Sequence, residues 1–293
     1  MIKIEQLKIT EKIFFFTLSS EIVEANIIII KGKNNNFILD TFLGPDSVKH
    51  IINRLQLQDE NKNFVVFNSH YHWDHIWGNC YFNSKTHIIS HENCLQEIQN
   101  TFNRDFKLYG KHSQGDVVKR LPNLTFTDKL IYKEDNVEFF FTPGHTIGSS
   151  SCLVDEVLYV GDNLEAPFPY INQVNLSLYS KTLETYIKIN PQTILSGHGL
   201  ANEDLLQSNL EYLKQLENLT VNTDIFNDSN FKIHLSNLDF LIKEYYKSKN
   251  QTQVDNLIEV AISNIKNANI TKKEEYLKLA YKLKEKLNST INE

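Results

Sequence analysis

Four times along this chain a short apolar run breaks off into a loop that carries histidine or aspartate. Phe64 to Phe67 runs into Asn68-Ser69-His70-Tyr71-His72-Trp73-Asp74-His75, and Glu138 to Phe141 runs into Thr142-Pro143-Gly144-His145. Val157 to Val160 runs into Gly161-Asp162, and Thr193 to Leu195 into Ser196-Gly197-His198-Gly199. Apolar runs rich in β-branched and aromatic residues and bounded by polar turns read as strands. A chain that hangs its reactive side chains on strand ends holds them on loops supported by a rigid sheet.

The rest of the pattern agrees with a mixed fold. Ile13 to Leu18, Asn26 to Ile30 and Phe37 to Asp40 read as further strands. Helical spacing of Val48, Ile51, Ile52 and Leu55 marks a helix begun by Asp46. Lys181 to Asn190 reads as a helix stopped by Pro191, and Asn202 to Leu219 as another with one leucine face. After Thr220 the strand signals fade. Ser236 to Ser248, Val254 to Ala268 and Lys272 to Leu287 read as helices. The expected organisation is a catalytic domain over 1–220 and a helical extension over 221–293 that could mediate a homodimer.

The decisive stretch is residues 70–75. Three imidazoles and a carboxylate there supply the nitrogen and oxygen donors that zinc and similar ions take. In an extended loop His70 and His72 point to one side, so both can reach a single ion. Asp74 and His75 follow where the chain turns and can reach a second. A buried cluster of unpaired imidazoles without such a role would be costly. His145, Asp162 and His198 share the strand-end context, each beside a glycine that lets the backbone turn tightly. Alone each is weak evidence; together and in this order they are strong.

His70-Tyr71-His72-Trp73-Asp74-His75, then Pro143-Gly144-His145-Thr146, Gly161-Asp162 and Gly197-His198-Gly199, resembles the metallo-β-lactamase superfamily, whose signature is HxHxDH. Asp40-Thr41 also looks like the family's early strand ending in Asp-Thr. The resemblance covers roughly residues 12–200. It implies an α+β fold: a four-layered αβ/βα sandwich with the site at one edge, here followed by an all-helical tail. It implies that His70, His72 and His145 hold one metal, that Asp74, His75 and His198 hold a second, and that Asp162 bridges them. Two departures stand out. Ile76-Trp77-Gly78 keeps one glycine where the family has two, which could reshape the pocket lip, and Phe42 follows Thr41 where glycine is common.

Two divalent ions per chain sharing one water lower its pKa toward neutrality, and the bridging hydroxide is then the expected nucleophile. Its target would be an ester, lactone, lactam or thioester-type substrate, with Asp74 orienting the nucleophile and moving its proton. Ligands without cysteine favour zinc and also admit iron or manganese. Diiron flavoproteins of the superfamily usually carry Glu at the position of His72, so that branch is disfavoured. The competing readings are a mononuclear iron oxidoreductase of the persulfide dioxygenase type and a non-catalytic binding module. Phe168, Tyr170 and Trp73 either wall the pocket or pack its loop, and no basic residue follows Asp162 before Lys181 to hold glutathione. Tyr109 and Arg104 are expected in a long loop from Asn100 to Arg120. His91 is expected to cap a helix, Cys80 to lie near the ligands without serving as one, and Cys94 and Cys152 to be small core residues.

Composition bounds the partners. A formal charge of -6 without a dense basic stretch argues against a nucleic-acid surface, and the expected partner is a small-molecule substrate. No run approaches a transmembrane length, and the N-terminal apolar residues are too interrupted for a signal sequence. Three cysteines without a CxxC pair point to a reducing compartment, so a cytoplasmic location is expected.

Overall fold

The computed structural model describes residues 3–57 and 62–289. The chain forms β1 (Lys3–Lys8), β2 (Ile13–Ser19), β3 (Glu24–Lys31), β4 (Asn35–Leu39), α1 (Pro45–Arg54), β5 (Asn63–Phe67), α2 (Trp73–Ile76) and β6 (His87–His91). It continues through α3 (Glu92–Tyr109), β7 (Leu124–Phe126), β8 (Lys129–Tyr132), β9 (Val137–Phe141), β10 (Ser150–Val154) and β11 (Val157–Tyr159). The remainder is α4 (Leu176–Ile189), β12 (Thr193–Leu195), α5 (Glu203–Glu217), α6 (Asn230–Lys247), α7 (Gln251–Asn267) and α8 (Lys273–Ser289).

One sheet runs β1-β2-β3-β4-β5-β6-β7 and the other β12-β11-β10-β9-β8. β4 to β7 pair in parallel, as do β11 and β12, while the remaining neighbours are antiparallel. The pleat decides which layer each side chain joins. Phe37, Leu39, Val65 and Phe67 face the core between the sheets, where Phe67 stacks on Phe139 at 4.5 Å. Ile27, Ile29, Ile38 and Val66 point the other way and bury the Val48, Ile51 and Ile52 face of α1. Strands covered on both faces become near-continuous apolar runs, which is why Ile27 to Ile30 contains no polar residue. Leu158 and Ile194 on the second sheet pack with Leu183 and Tyr186 of α4 and Leu213 of α5, closing a four-layered αβ/βα sandwich.

The structure differs from the sequence reading at several elements. Residues 100–109, expected as loop, belong to α3 and place Arg104 and Tyr109 on a helix. The buried residues Cys94, Ile98, Phe102 and Asp105 form one helical stripe there, with a polar residue in it that masks the period. β1, β6, β7, β8 and β10 escape the sequence reading because they are short or carry polar residues. Helix α4 begins at Leu176, earlier than Lys181, because Asn175 Oδ1 accepts Leu178 N–H at 2.9 Å and caps it. Helix α6 begins at Asn230, and α6 to α8 form the helical region that follows the sandwich. Phe231, Leu241, Val254 and Ile258 of that region share a single apolar cluster with α4, α5 and Phe168. Among the described residues no helix is long and apolar enough to cross a membrane.

Candidate metal centre

The loops after β5, β9, β11 and β12 meet at one edge of the sandwich. Donor atoms of His70, His72, His145 and Asp162 lie within 4.8 Å of one another, and so do those of Asp74, His75 and His198. All seven residues expected to hold metal are thus brought to the same place. In the first group His70 Nε2 is 3.0 Å from His72 Nδ1, which is 3.1 Å from His145 Nε2. In the second, His75 Nε2 and His198 Nε2 are 3.3 Å apart, and Asp74 Oδ2 is 3.4 Å from His198 Nε2. Asp162 Oδ2 stands between the groups, 3.3 Å from His70 Nε2, 3.4 Å from His75 Nε2 and 3.3 Å from His198 Nε2.

Which nitrogen faces inward is set by what holds the other. His75 Nδ1 donates to Asp40 Oδ2 at 2.9 Å and His145 Nδ1 to Tyr170 O at 2.8 Å. His198 Nδ1 donates to Glu24 O. Ser69 Oγ donates to Asp40 Oδ2 at 2.6 Å, so it accepts from His70 Nδ1 at 3.0 Å. Four imidazoles therefore have Nδ1–H committed and turn Nε2 inward, the arrangement that metal-ligating histidines use. His72 presents Nδ1 instead.

Asp40 also groups with His70 and His75 by distance. Its carboxylate, however, is fully enclosed: Oδ1 accepts Ser69 N–H at 2.8 Å, and Oδ2 accepts Ser69 Oγ, His75 Nδ1 and Tyr159 OH, the last at 2.5 Å. It orients His75 directly and His70 through Ser69. The sequence reading saw Asp40 only as the end of a strand and missed this role; its hint was an aspartate closing an otherwise apolar run.

The loops are mutually pinned. Thr41 N–H and Oγ1 both reach His75 O, at 2.7 and 3.1 Å. Asn68 and Asn79 exchange amide hydrogen bonds of 3.0 and 2.7 Å beneath the ligand loop. Asn163 accepts His145 N–H at 2.8 Å and donates to Thr142 O at 2.8 Å, tying two ligand loops together. Asn26 of β3 donates to Ser196 O and Gly199 O, both at 2.9 Å, and so fastens the His198 loop to the opposite sheet. Gly161 holds φ +55°, and a Cβ at Gly197 would sit 2.0 Å from Asp162 Oδ1. Both glycines are therefore structural requirements of the site.

Charge is divided unevenly. Burial lowers His72 far below its ordinary value and His145 to about 4, with neighbouring imidazoles adding to both effects. Burial opposes charging of His75 and His198 as well, but Asp162 and Asp74 override it and hold both well above the ordinary value. For Asp74 and Asp162 burial favours the neutral acid, yet the surrounding imidazoles hold both carboxyls below the usual range. Glu165 is pushed up to about 8 by burial and then by Asp162.

A divalent cation fits this donor set. Three imidazole nitrogens about 3 Å apart cannot all hydrogen-bond one another as neutral rings. Ligands of one tetrahedral zinc stand roughly 3.3 Å apart, given bonds of about 2.0–2.1 Å. Asp162 Oδ1 is buried without a hydrogen-bond partner, at the junction of the two groups.

The remaining sequence expectations divide. Phe168 is 5% exposed and stacks on Tyr212 of α5 at 4.5 Å, so it packs its loop. Tyr170 stays 41% exposed, and Trp73 stacks on Tyr109 of α3 at 4.7 Å. Trp77, standing where a glycine was expected, is buried against Cys94 and Ile98 of α3 and leaves the lip to other residues. His91 accepts Asn93 N–H at 3.1 Å as the cap of α3 and stacks on Phe141 at 3.9 Å. Cys80 belongs to neither donor group, and Cys94 and Cys152 are buried.

A two-sheet sandwich with clustered His/Asp donors at its edge defines a metal-binding α+β protein. The chain belongs to the metallo-β-lactamase superfamily, whose family model matches residues 22–198. It is 28% identical over 114 residues to a metallo-beta-lactamase fold-containing protein of Sulfurisphaera tokodaii, covering 33% of this chain and 44% of that one. It is 27% identical over 148 residues to a probable metallo-hydrolase of Methanocaldococcus jannaschii, covering 48% of this chain and 60% of that one. The matches thus span about half the length of these relatives. Among solved structures, the DIM-1 metallo-beta-lactamase superposes with a TM-score of 0.60 at 16% identity, covering 73% of this chain and 98% of that one. FIM-1 from Pseudomonas aeruginosa, in its mono-zinc form, gives 0.58 at 12% identity, covering 73% and 96%. At those identities the likeness establishes the fold.

Proposed function

We propose that the protein is a hydrolase that works with two divalent cations, zinc first among them, and cleaves a carbonyl substrate of the ester, lactone, lactam or thioester type. The carrying observation is the position of Asp162 Oδ2, within 3.4 Å of imidazole nitrogens from both donor groups. His70, His72 and His145 would hold one cation, Asp74, His75 and His198 the other, and Asp162 would serve both. When bound, such ions supply Lewis acidity and bring the pKa of a water near neutrality.

The chain's own residues do the rest. Asp74, ionised and aimed at the second group, is placed to orient the attacking water and to take its proton at the carboxylate. Asp40, Tyr170 O and Glu24 O hold the proton on Nδ1 and leave Nε2 of each ring to face a cation. Exposed Ile147, Tyr170 and Leu200 lie within two positions of ligands or on the loop that holds His145, which supports a substrate with an apolar arm.

The test is metal analysis followed by a hydrolysis panel over those four substrate classes with zinc-loaded protein. About two zinc ions per chain and turnover of one class, reduced roughly 100-fold or more by Asp74→Ala, is the expected outcome. One iron per chain with oxygen uptake would replace this reading with the mononuclear oxidoreductase.

A further inference from the structure

The loop between Asp162 and α4 reaches the metal centre by its backbone. Tyr170 O accepts His145 Nδ1–H at 2.8 Å, and Asn172 N–H donates to His145 O at 3.1 Å. A carbonyl can orient an imidazole only if its own position is fixed, and this stretch belongs to no strand or helix. Tyr170 N–H donates to Glu165 Oε1 at 3.3 Å within the loop, and a further hold comes from outside the sandwich. Asn237, on α6 and 1% exposed, accepts Ile171 N–H at 3.0 Å and donates to Pro169 O at 2.9 Å. The two residues flanking Tyr170 are thus held by one amide, and Asn237 Nδ2 is steadied in turn by Tyr212 OH at 3.1 Å. A second buried amide, Asn209 of α5, holds the start of the loop through Glu165 N–H at 3.1 Å.

We propose that Asn237 is a positioning residue for the metal centre: by clamping the backbone on both sides of Tyr170, the C-terminal helical region holds the carbonyl that fixes the ring of His145. The reasoning rests on the reading of His145 as a metal ligand. A side chain that offers one acceptor and a two-hydrogen donor matches a backbone N–H and C=O facing it together. Leucine offers neither, and aspartate offers the acceptor alone. The helical region is therefore part of the site's support, although none of its described residues belongs to the donor groups.

The experiment uses the full chain and Zn2+ alone. Zinc affinities are measured by chelator competition for the wild type, Asn237→Leu, the milder Asn237→Asp, and Leu257→Ala. Leu257 is buried in the same helical region and lies off this hydrogen-bond path, so its variant reports stability loss alone. In parallel, the His145 Nδ1–H resonance is followed by nitrogen-correlated NMR in the metal-free proteins. The expected result is that Asn237→Leu weakens one of the two zinc ions about 10-fold or more. Its His145 Nδ1–H signal should also broaden through solvent exchange. Asn237→Asp should fall between it and the wild type, and Leu257→Ala should match the wild type in both readouts despite a lower Tm. Wild-type zinc affinities together with a sharp His145 signal in both Asn237 variants would overturn the proposal. If the wild type takes up no zinc, the metal reading fails, and the metal-free NMR comparison still decides the role of Asn237.

Discussion

Asp40 shows how much of the site is decided outside its ligands. The residue closes β4 with φ +58°, a left-handed conformation that aspartate tolerates better than most side chains. From there a buried carboxylate collects Ser69 N–H, Ser69 Oγ, His75 Nδ1 and Tyr159 OH. Through Ser69 and directly it orients one imidazole of each donor group. Asp40→Asn preserves the shape while removing the charge and turning one acceptor into a donor. The expected consequence is a 10- to 100-fold weaker zinc affinity with the fold retained, read by chelator competition beside circular dichroism. Unchanged affinity would show that Asp40 is a structural buried carboxylate only.

At the scale of elements, the helical region carries its own buried polar contact. His234 of α6 is fully enclosed, paired with Tyr212 OH of α5 at 3.1 Å, and its Nε2 accepts from Asn264 of α7 at 3.0 Å. Burial pushes its imidazole down from the ordinary 6.5 to about 3. The unfolded chain therefore binds a proton below about pH 6.5 that the folded chain refuses until about pH 3. Stability contributed by neutral His234 is complete above 6.5 and is lost as the pH falls through that window. One proton corresponds to about 1.4 kcal/mol per pH unit. Between pH 7 and pH 5 the wild type should thus lose about 2 kcal/mol more than His234→Gln, measured from urea midpoints at each pH. Parallel losses in the two proteins would mean the imidazole titrates freely in the fold.

For the whole molecule, the question is whether residues after Thr220 are an appendage. Phe168, Tyr212 and Leu216 of the sandwich side are 5%, 2% and 1% exposed and share one apolar cluster with residues of α6 and α7. Buried apolar surface contributes about 25 cal/mol per Å². Removing the covering helices would lay that surface open and release the Asn237 clamp at once. A chain ended after Thr220 should therefore unfold at a Tm at least roughly 10 °C lower, or aggregate, by differential scanning calorimetry. It should also lose tight zinc uptake. A truncated protein with the wild-type Tm and zinc affinity would show the two parts to be independent.

The primary structure alone singled out the seven His and Asp residues that the fold gathers, and where they stand along the strands. Imidazole and carboxylate chemistry is a property of the residue, and a strand that ends in Gly-Asp or Gly-His is a local pattern. Unbroken apolar runs such as Ile27 to Ile30 marked strands, and the sandwich itself followed from the family that the motifs resemble. Only the tertiary structure decided which ring nitrogen faces inward and what holds the other. Tyr159 OH reaches Asp40 across 119 positions, His198 reaches Glu24 O across 174, and Asn237 reaches Pro169 across 68. Partners so far apart in the chain meet only through the packing of whole layers, so no local pattern of residues announces them.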